Sequence, residues 1–107
     1  MLNRVTLIGR LTKDVEFKVV GDKQTQLAQF TVATDTHTGK DRKETYFANC
    51  KAWGKTAEIA DRFLRKGHLT AVEGRIAEES WDKDGEKKTK TVIVVDKLTL
   101  MPNKKED

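Results

Sequence analysis

The sequence predicts an all-β domain: a small closed five-stranded Greek-key barrel with one α-helix between the third and fourth strands. Three observations carry this. Most apolar residues recur with period two, turn signals punctuate them at short intervals, and a single segment carries helical periodicity. A parallel α/β sheet would need a helix after nearly every strand, so one helix among many strands points to a barrel.

Taken in order, residues 3–11 (NRVTLIGRL) and 15–20 (VEFKVV) read as the strand-forming N-terminal stretch, and GDKQ at 21–24 supplies a turn. Val5, Leu7, Gly9 and Leu11 alternate with Arg4, Thr6, Ile8 and Arg10. The second long strand is 25–36, followed by a polar loop at 37–43 and a third strand at 44–53 (ETYFANCKAW). The helix is expected over 56–66, with Thr56 as N-cap, Glu58 in the first turn, Arg62, Arg65 and Lys66 near the C-terminus and Gly67 as the stop. Ala57, Ala60, Phe63 and Leu64 share one helical face and are expected in the core. A fourth strand covers 68–81, a hairpin tip 82–88 and a fifth strand 89–100. In the fourth strand Val72, Gly74 and Ile76 fall on the apolar side, and Glu73, Arg75, Ala77, Glu79 and Trp81 point outward. This order suits the oligonucleotide/oligosaccharide-binding (OB) fold, with the domain at 1–101 and a short polar tail at 102–107.

With 107 residues and no apolar run of membrane-spanning length, one small domain with one core is expected. The start, MLNRVTLIGR, is too polar for a signal peptide, and the single Cys50 permits no internal disulfide, so a cytoplasmic location is expected. Cys50 lies on the core-like face and reads as a small buried hydrophobe rather than a reactive thiol. His37 and His68 are too far from each other and from Cys50 to suggest a metal site, and no nucleophile-elbow or phosphate-loop motif is present. An enzyme, a cofactor and a metal are therefore not expected.

The residues that demand a function lie on the outward faces. In residues 44–53 the even positions Tyr46, Ala48, Cys50 and Ala52 make a small, mostly apolar face, while the odd ones carry Thr45, Phe47, Asn49, Lys51 and Trp53. Phe47, Trp53 and Trp81, with Arg4, Arg10, Lys51, Lys55 and Arg75, are expected to line one concave surface. Lys43 belongs to the positive excess at 39–55 beside it, and Asn49 lies within it. Net charge is +4, which permits a polyanionic partner. Aromatics interleaved with cations suit single-stranded nucleic acid, whose unpaired bases stack on flat rings while its phosphates meet Lys and Arg. Two other readings stay open on this fold: an accessory replication subunit that binds DNA only secondarily, and a carbohydrate- or RNA-binding module. A sugar site would favour carboxylates and amides over a basic surround.

NRVTLIGRLTKDVEFK, FTVATDT, CKAWGKTAEIADRFLRKG, VEGRIAEESWDKDGEKK and KTVIVVDKLTLM together resemble, in order and spacing, the DNA-binding domain of bacterial single-stranded DNA-binding proteins. The similarity spans residues 2–101. It implies an OB-fold, non-enzymatic homotetramer that wraps single-stranded DNA in replication, recombination and repair. By position, Phe47, Trp53 and Trp81 match the family's base-stacking aromatics, and Lys55 matches a basic position beside the DNA path. Two departures stand out. Members often place a further tryptophan in the loop where ATDTHTGK here offers only His37 and Thr38, so a weaker stacking platform is expected there. The family's acidic, phenylalanine-ended tail has no counterpart in PNKKED, so recruitment of partner enzymes through such a tail is not expected. The N-terminal strand is expected to pair with its own copy across a two-fold axis.

Overall fold

A computed structural model describes residues 1–102. Its elements are β1 (Val5–Leu11), β2 (Glu16–Val20), β3 (Thr25–Gly39), β4 (Arg42–Trp53), α1 (Gly54–Phe63), β5 (Leu69–Lys83) and β6 (Glu86–Leu100). The strands run in the order β1-β5-β6-β4-β3-β2, and β1 also pairs with β3 through Arg10↔Ala33 and Leu11↔Val32, which closes the ring. β2 pairs with the next stretch of β3, from Gln29 to Thr25. Together β1 and β2 act as one bent first strand, so the barrel has five staves. The β4–β6 seam is parallel and short, joining Cys50–Ala52 to Ile93–Val95.

Alternation places Ala28, Phe30 and Val32 of β3, Ala48, Cys50 and Ala52 of β4, Val72 of β5, and Ile93 and Val95 of β6 inside, with Leu11 of β1. The small residues of β4 leave room for α1, whose Ala57 and Ala60, with Leu64 just beyond, pack into the same core. Burial pushes the Cys50 thiol up to about 12, as expected for a residue acting as a hydrophobe.

Several sequence expectations are corrected. The helix begins directly after β4, with Trp53 as an N-cap in extended conformation that makes no side-chain cap bond, so Thr56 lies inside the helix and no acidic residue occupies the first turn. It ends at Phe63, earlier than expected, because Leu64 is already extended. Arg65 lies beyond the end, where its side chain donates to the Asp61 and Leu64 carbonyls. Lys66 N–H donates to Asp14 Oδ1 and Gly67 N–H to the Leu11 carbonyl, so the chain after the helix is tied to the first strand. Phe63 is half exposed rather than core, lying beneath the Arg62 guanidinium, because the short helix buries only the stripe defined by its two alanines.

The polar loop expected at 37–43 is mostly strand: β3 reaches Gly39 and β4 starts at Arg42, with a register irregularity between His37 and Gly39. The β5–β6 tip is likewise shorter than 82–88, reduced to a turn at Asp84–Gly85. Ile76 and Tyr46, read as inward by alternation, are each half exposed. Tyr46 lies where the β3–β4 ladder continues past the barrel wall, and Ile76, opposite buried Ile93, lies where β1 no longer covers β5. The β1–β5 pairing stops at Val5↔Gly74, and beyond it only the Asn3 side chain reaches Ile76, accepting from its N–H and donating to its carbonyl.

Among the described residues no helix is long and apolar enough to cross a membrane. The tail reading at 102–107 falls, apart from Pro102, outside the described residues.

Candidate nucleic-acid interface

The strand registers assemble the outer face. On β4, Phe47, Asn49, Lys51 and Trp53 stand opposite Ala33, Thr31, Gln29 and Leu27 of β3, so these pairs share one side of the sheet. Across the parallel seam Lys51 aligns with Val94 of β6, and Val94 is opposite Arg75 of β5. Further along the same β5–β6 ribbon Glu79 faces Lys90 and Trp81 faces Lys88. Thus Phe47, Asn49, Lys51 and Trp53 occupy one row and Arg75, Glu79 and Trp81 another, with Val92, Val94 and the two lysines of β6 between them.

Three rings remain accessible on this face: Phe47 is 58% exposed, Trp53 41% and Trp81 45%. Each is large and apolar, and leaving it in water forgoes roughly 1.5–3 kcal/mol of burial, which marks the face as built for contact. Between the rows lies a cavity of about 140 Å³ whose lining includes Thr31, Asn49, Lys51, Glu79 and Lys90. Thr31 Oγ1 donates to Asn49 Oδ1 at 3.4 Å, holding the amide along the strand.

The cations divide by what they already touch. Lys51 forms an ion pair with Glu79, its side chain only 16% exposed, and its ammonium lies 5.9 Å from the Trp53 ring centroid. Lys43 pairs with Asp35 at 3.8 Å on the β3–β4 arm. Arg4 is held by Glu73 at 3.6 Å and Asp96 at 3.3 Å, two carboxylates against one guanidinium. Arg10 donates to the Gly67 carbonyl at 3.0 Å. Arg4 and Arg10 are therefore tied to the β1–β5 wall, although the registers keep them on the outer face: Arg10 is opposite Ala33, which faces Phe47, and Arg4 reaches Glu73, two residues before Arg75 on β5. Lys55, in the first turn of α1, and Arg75 are exposed and make no ion pair among the described residues.

Sequence reasoning missed Lys88 and Lys90, which the register sets beside Trp81 and Glu79. The signal was present in KKTKT: once the Asp84–Gly85 turn fixes the hairpin, alternate lysines must face the Trp81 side.

Residues 2–101 match the model of the Single-strand binding protein family. Single-stranded DNA-binding protein 3 of Clostridium acetobutylicum is 40% identical over 94% of this chain and 71% of its own length. The single-stranded DNA-binding protein of Wolinella succinogenes is 35% identical over 97% of this chain and 67% of its own. Among solved structures, a Plasmodium falciparum SSB in complex with ssDNA superposes with a TM-score of 0.87 at 22% identity, covering 95% of this chain and 96% of that one. The last likeness bears on the fold, and the sequence matches bear on the lineage: the chain belongs to the single-strand binding protein family.

Proposed function

We propose that this protein binds single-stranded DNA without reading its sequence and protects it during replication, recombination and repair, as a binding protein rather than an enzyme. The observation that carries the reading is the accessible row of Phe47 and Trp53 facing Trp81 across a strip that bears Lys88 and Lys90. Flat rings accept any base, and ammonium groups spaced along the strip meet the phosphates that follow. A duplex keeps its base faces stacked internally and cannot use the rings. Within this reading Phe47, Trp53 and Trp81 are stacking platforms, Asn49 lies on the floor between them, and Lys55 and Arg75 are the readiest phosphate partners. Lys43 contributes from the arm. Arg4, held by two carboxylates, and Arg10, which donates to one carbonyl, are secondary phosphate partners at the edge of the face.

The binding domain is residues 1–101, acting in the cytoplasm where the nucleoid exposes single strands. It works as a homotetramer. In support, the β3 side of β1 is paired only at Arg10 and Leu11, leaving most of that edge without a strand partner among the described residues. Sedimentation velocity measures the assembly: a species of four chains is expected, and a monomer refutes that part.

Titration with oligo-dT followed by tryptophan fluorescence tests the function. Strong quenching, weak competition by duplex or oligosaccharide, and a steep loss of affinity with salt are expected. Binding indifferent to salt, or equal for duplex, would refute it.

A further inference from the structure

Glu79 is out of place on a surface that attracts phosphate. It stands on the same outer face as Trp81, between Lys51 across the groove and Lys90 across the hairpin, and it binds the former. Lys51 in turn is mostly covered and lies against Trp53, its neighbour two residues along the strand. Reaching a phosphate would require Lys51 to leave both partners, exposing a carboxylate to the incoming polyanion. The arrangement works in the opposite direction. A lysine held over one side of an aromatic ring restrains the ring and leaves its other side free for a base. The carboxylate also sets a negative charge in the groove, steering phosphates to the outer cations.

We propose that Glu79 is a positioning residue for base stacking: it withholds Lys51 from the phosphate path and holds it against Trp53, so that this floor lysine acts through the ring. The inference rests on the reading of this face as a single-stranded DNA floor, and it removes Lys51 from the set of phosphate contacts.

Salt dependence separates the two roles, because each phosphate neutralised contributes about 0.7 to the slope of log affinity against log salt on single strands. Oligo-dT affinity is measured across a tenfold range of salt for the parent, Lys51→Met, Glu79→Gln and the double variant, with Lys51→Gln alongside in case methionine packs badly. Lys51→Met should lower affinity and leave the slope at the parent value. Glu79→Gln should free Lys51 and steepen the slope by about 0.7, a further fivefold or so across the range. The double variant should return to the parent slope. In a Trp81→Phe background, Glu79→Gln should also shift the emission of Trp53 in the absence of DNA. If Lys51→Met or Lys51→Gln lowers the slope by about 0.7, Lys51 meets phosphate and the proposal falls. If the double variant keeps the steeper slope, the released cation is another one, Lys90 being the nearest in register, and the proposal also falls. A parent that oligo-dT does not quench refutes the DNA reading beneath it instead.

Discussion

The two halves of β4 follow different rules. From Ala48 to Trp53 buried and accessible residues alternate, whereas from Arg42 to Phe47 every residue is exposed. β6 shows the same division in reverse, exposed from Glu86 to Thr91 and buried at Val92, Ile93 and Val95. One half of each strand is barrel wall, with a core on one side. The other half belongs to a two-stranded arm with water on both sides. Alternation has structural meaning only in the wall, where a face is covered. In the arms it decides which side chains stand together, and large rings there stay available because nothing is present to bury them. The aromatic floor spans both regions: Trp53 stands on the wall, Trp81 on the β5–β6 arm, and Phe47 where wall becomes arm.

Glycine substitutions should expose the contrast most strongly. A Cβ on Gly74 would fall far inside van der Waals contact distance of the Val94 carbonyl oxygen, 2.8 Å from the Val94 carbonyl carbon and 3.0 Å from Val95 Cα. These are backbone atoms of β6 at the Glu73/Gly74 register shift, and they yield only if the wall moves. Gly74→Ala should therefore cost about 3 kcal/mol of stability or more. On the arm, Gly85 has φ +82 and open space around its Cβ position, so Gly85→Ala meets only the left-handed backbone penalty, about 1 kcal/mol. Urea midpoints with unchanged m-values measure both. Equal losses would break the distinction between wall and arm.

The same distinction explains what could be read from the chain. The closed barrel and its core were legible because Ala28, Phe30, Val32, Ala48, Cys50 and Ala52 alternate against one interior, and Trp53 and Trp81 could be assigned outward by counting. Tyr46 misled because alternation continues along a strand after the core has ended, and Ile76 because β1, its neighbour, stops before it; one sequence marks neither point. Phe63 misled in a related way: the helical stripe was right for Ala57, Ala60 and Leu64, but the helix stops early and its last aromatic turns to solvent under Arg62. At the candidate site the ring positions were legible from parity. The ion pairs of Arg4, Lys43 and Lys51 were not, since each joins residues far enough apart in sequence that only the registers bring them together.

Ring removal should separate binding from stability along the same line. Phe47→Ala, Trp53→Ala and Trp81→Ala should each weaken oligo-dT binding by about 1–3 kcal/mol, the range for a lost stacking platform. Only Trp53 stands on the wall opposite buried Leu27, so its removal should also cost about 1 kcal/mol of folding stability. The variants at Phe47 and Trp81 should stay within about 0.5 kcal/mol of the parent. Fluorescence titration and urea unfolding on the same samples give the two axes, with intrinsic tyrosine or the remaining tryptophan as probe. Normal binding by all three folded variants would remove the floor; a large stability loss in Phe47→Ala or Trp81→Ala would show that the arms have a covered face after all.

The smallest effect tests the dryness of the wall through Cys50. Burial raises its thiol from 9.0 to about 12, so the folded protein keeps the proton at alkaline pH where the unfolded chain has lost it. The unfolded state then binds fewer protons than the folded one, and stability must fall as pH rises. The contribution is complete below 9.0 and is lost progressively towards about 12. By pH 10 the loss should be on the order of 1 kcal/mol. The measurement is a difference: urea unfolding at pH 8 and pH 10 for the parent and for Cys50→Ala, in which the Cys50 share of the alkaline loss should disappear. Thr89→Cys in the Cys50→Ala background provides the arm counterpart, since Thr89 is exposed on β6. Its thiol should react with an aromatic disulfide reagent at once and add no alkaline penalty, whereas Cys50 in the parent should wait for unfolding. Prompt labelling of Cys50 in the folded parent would mean that water reaches the inner face of β4, and the contrast between wall and arm would fail at the position where it is expected to be sharpest.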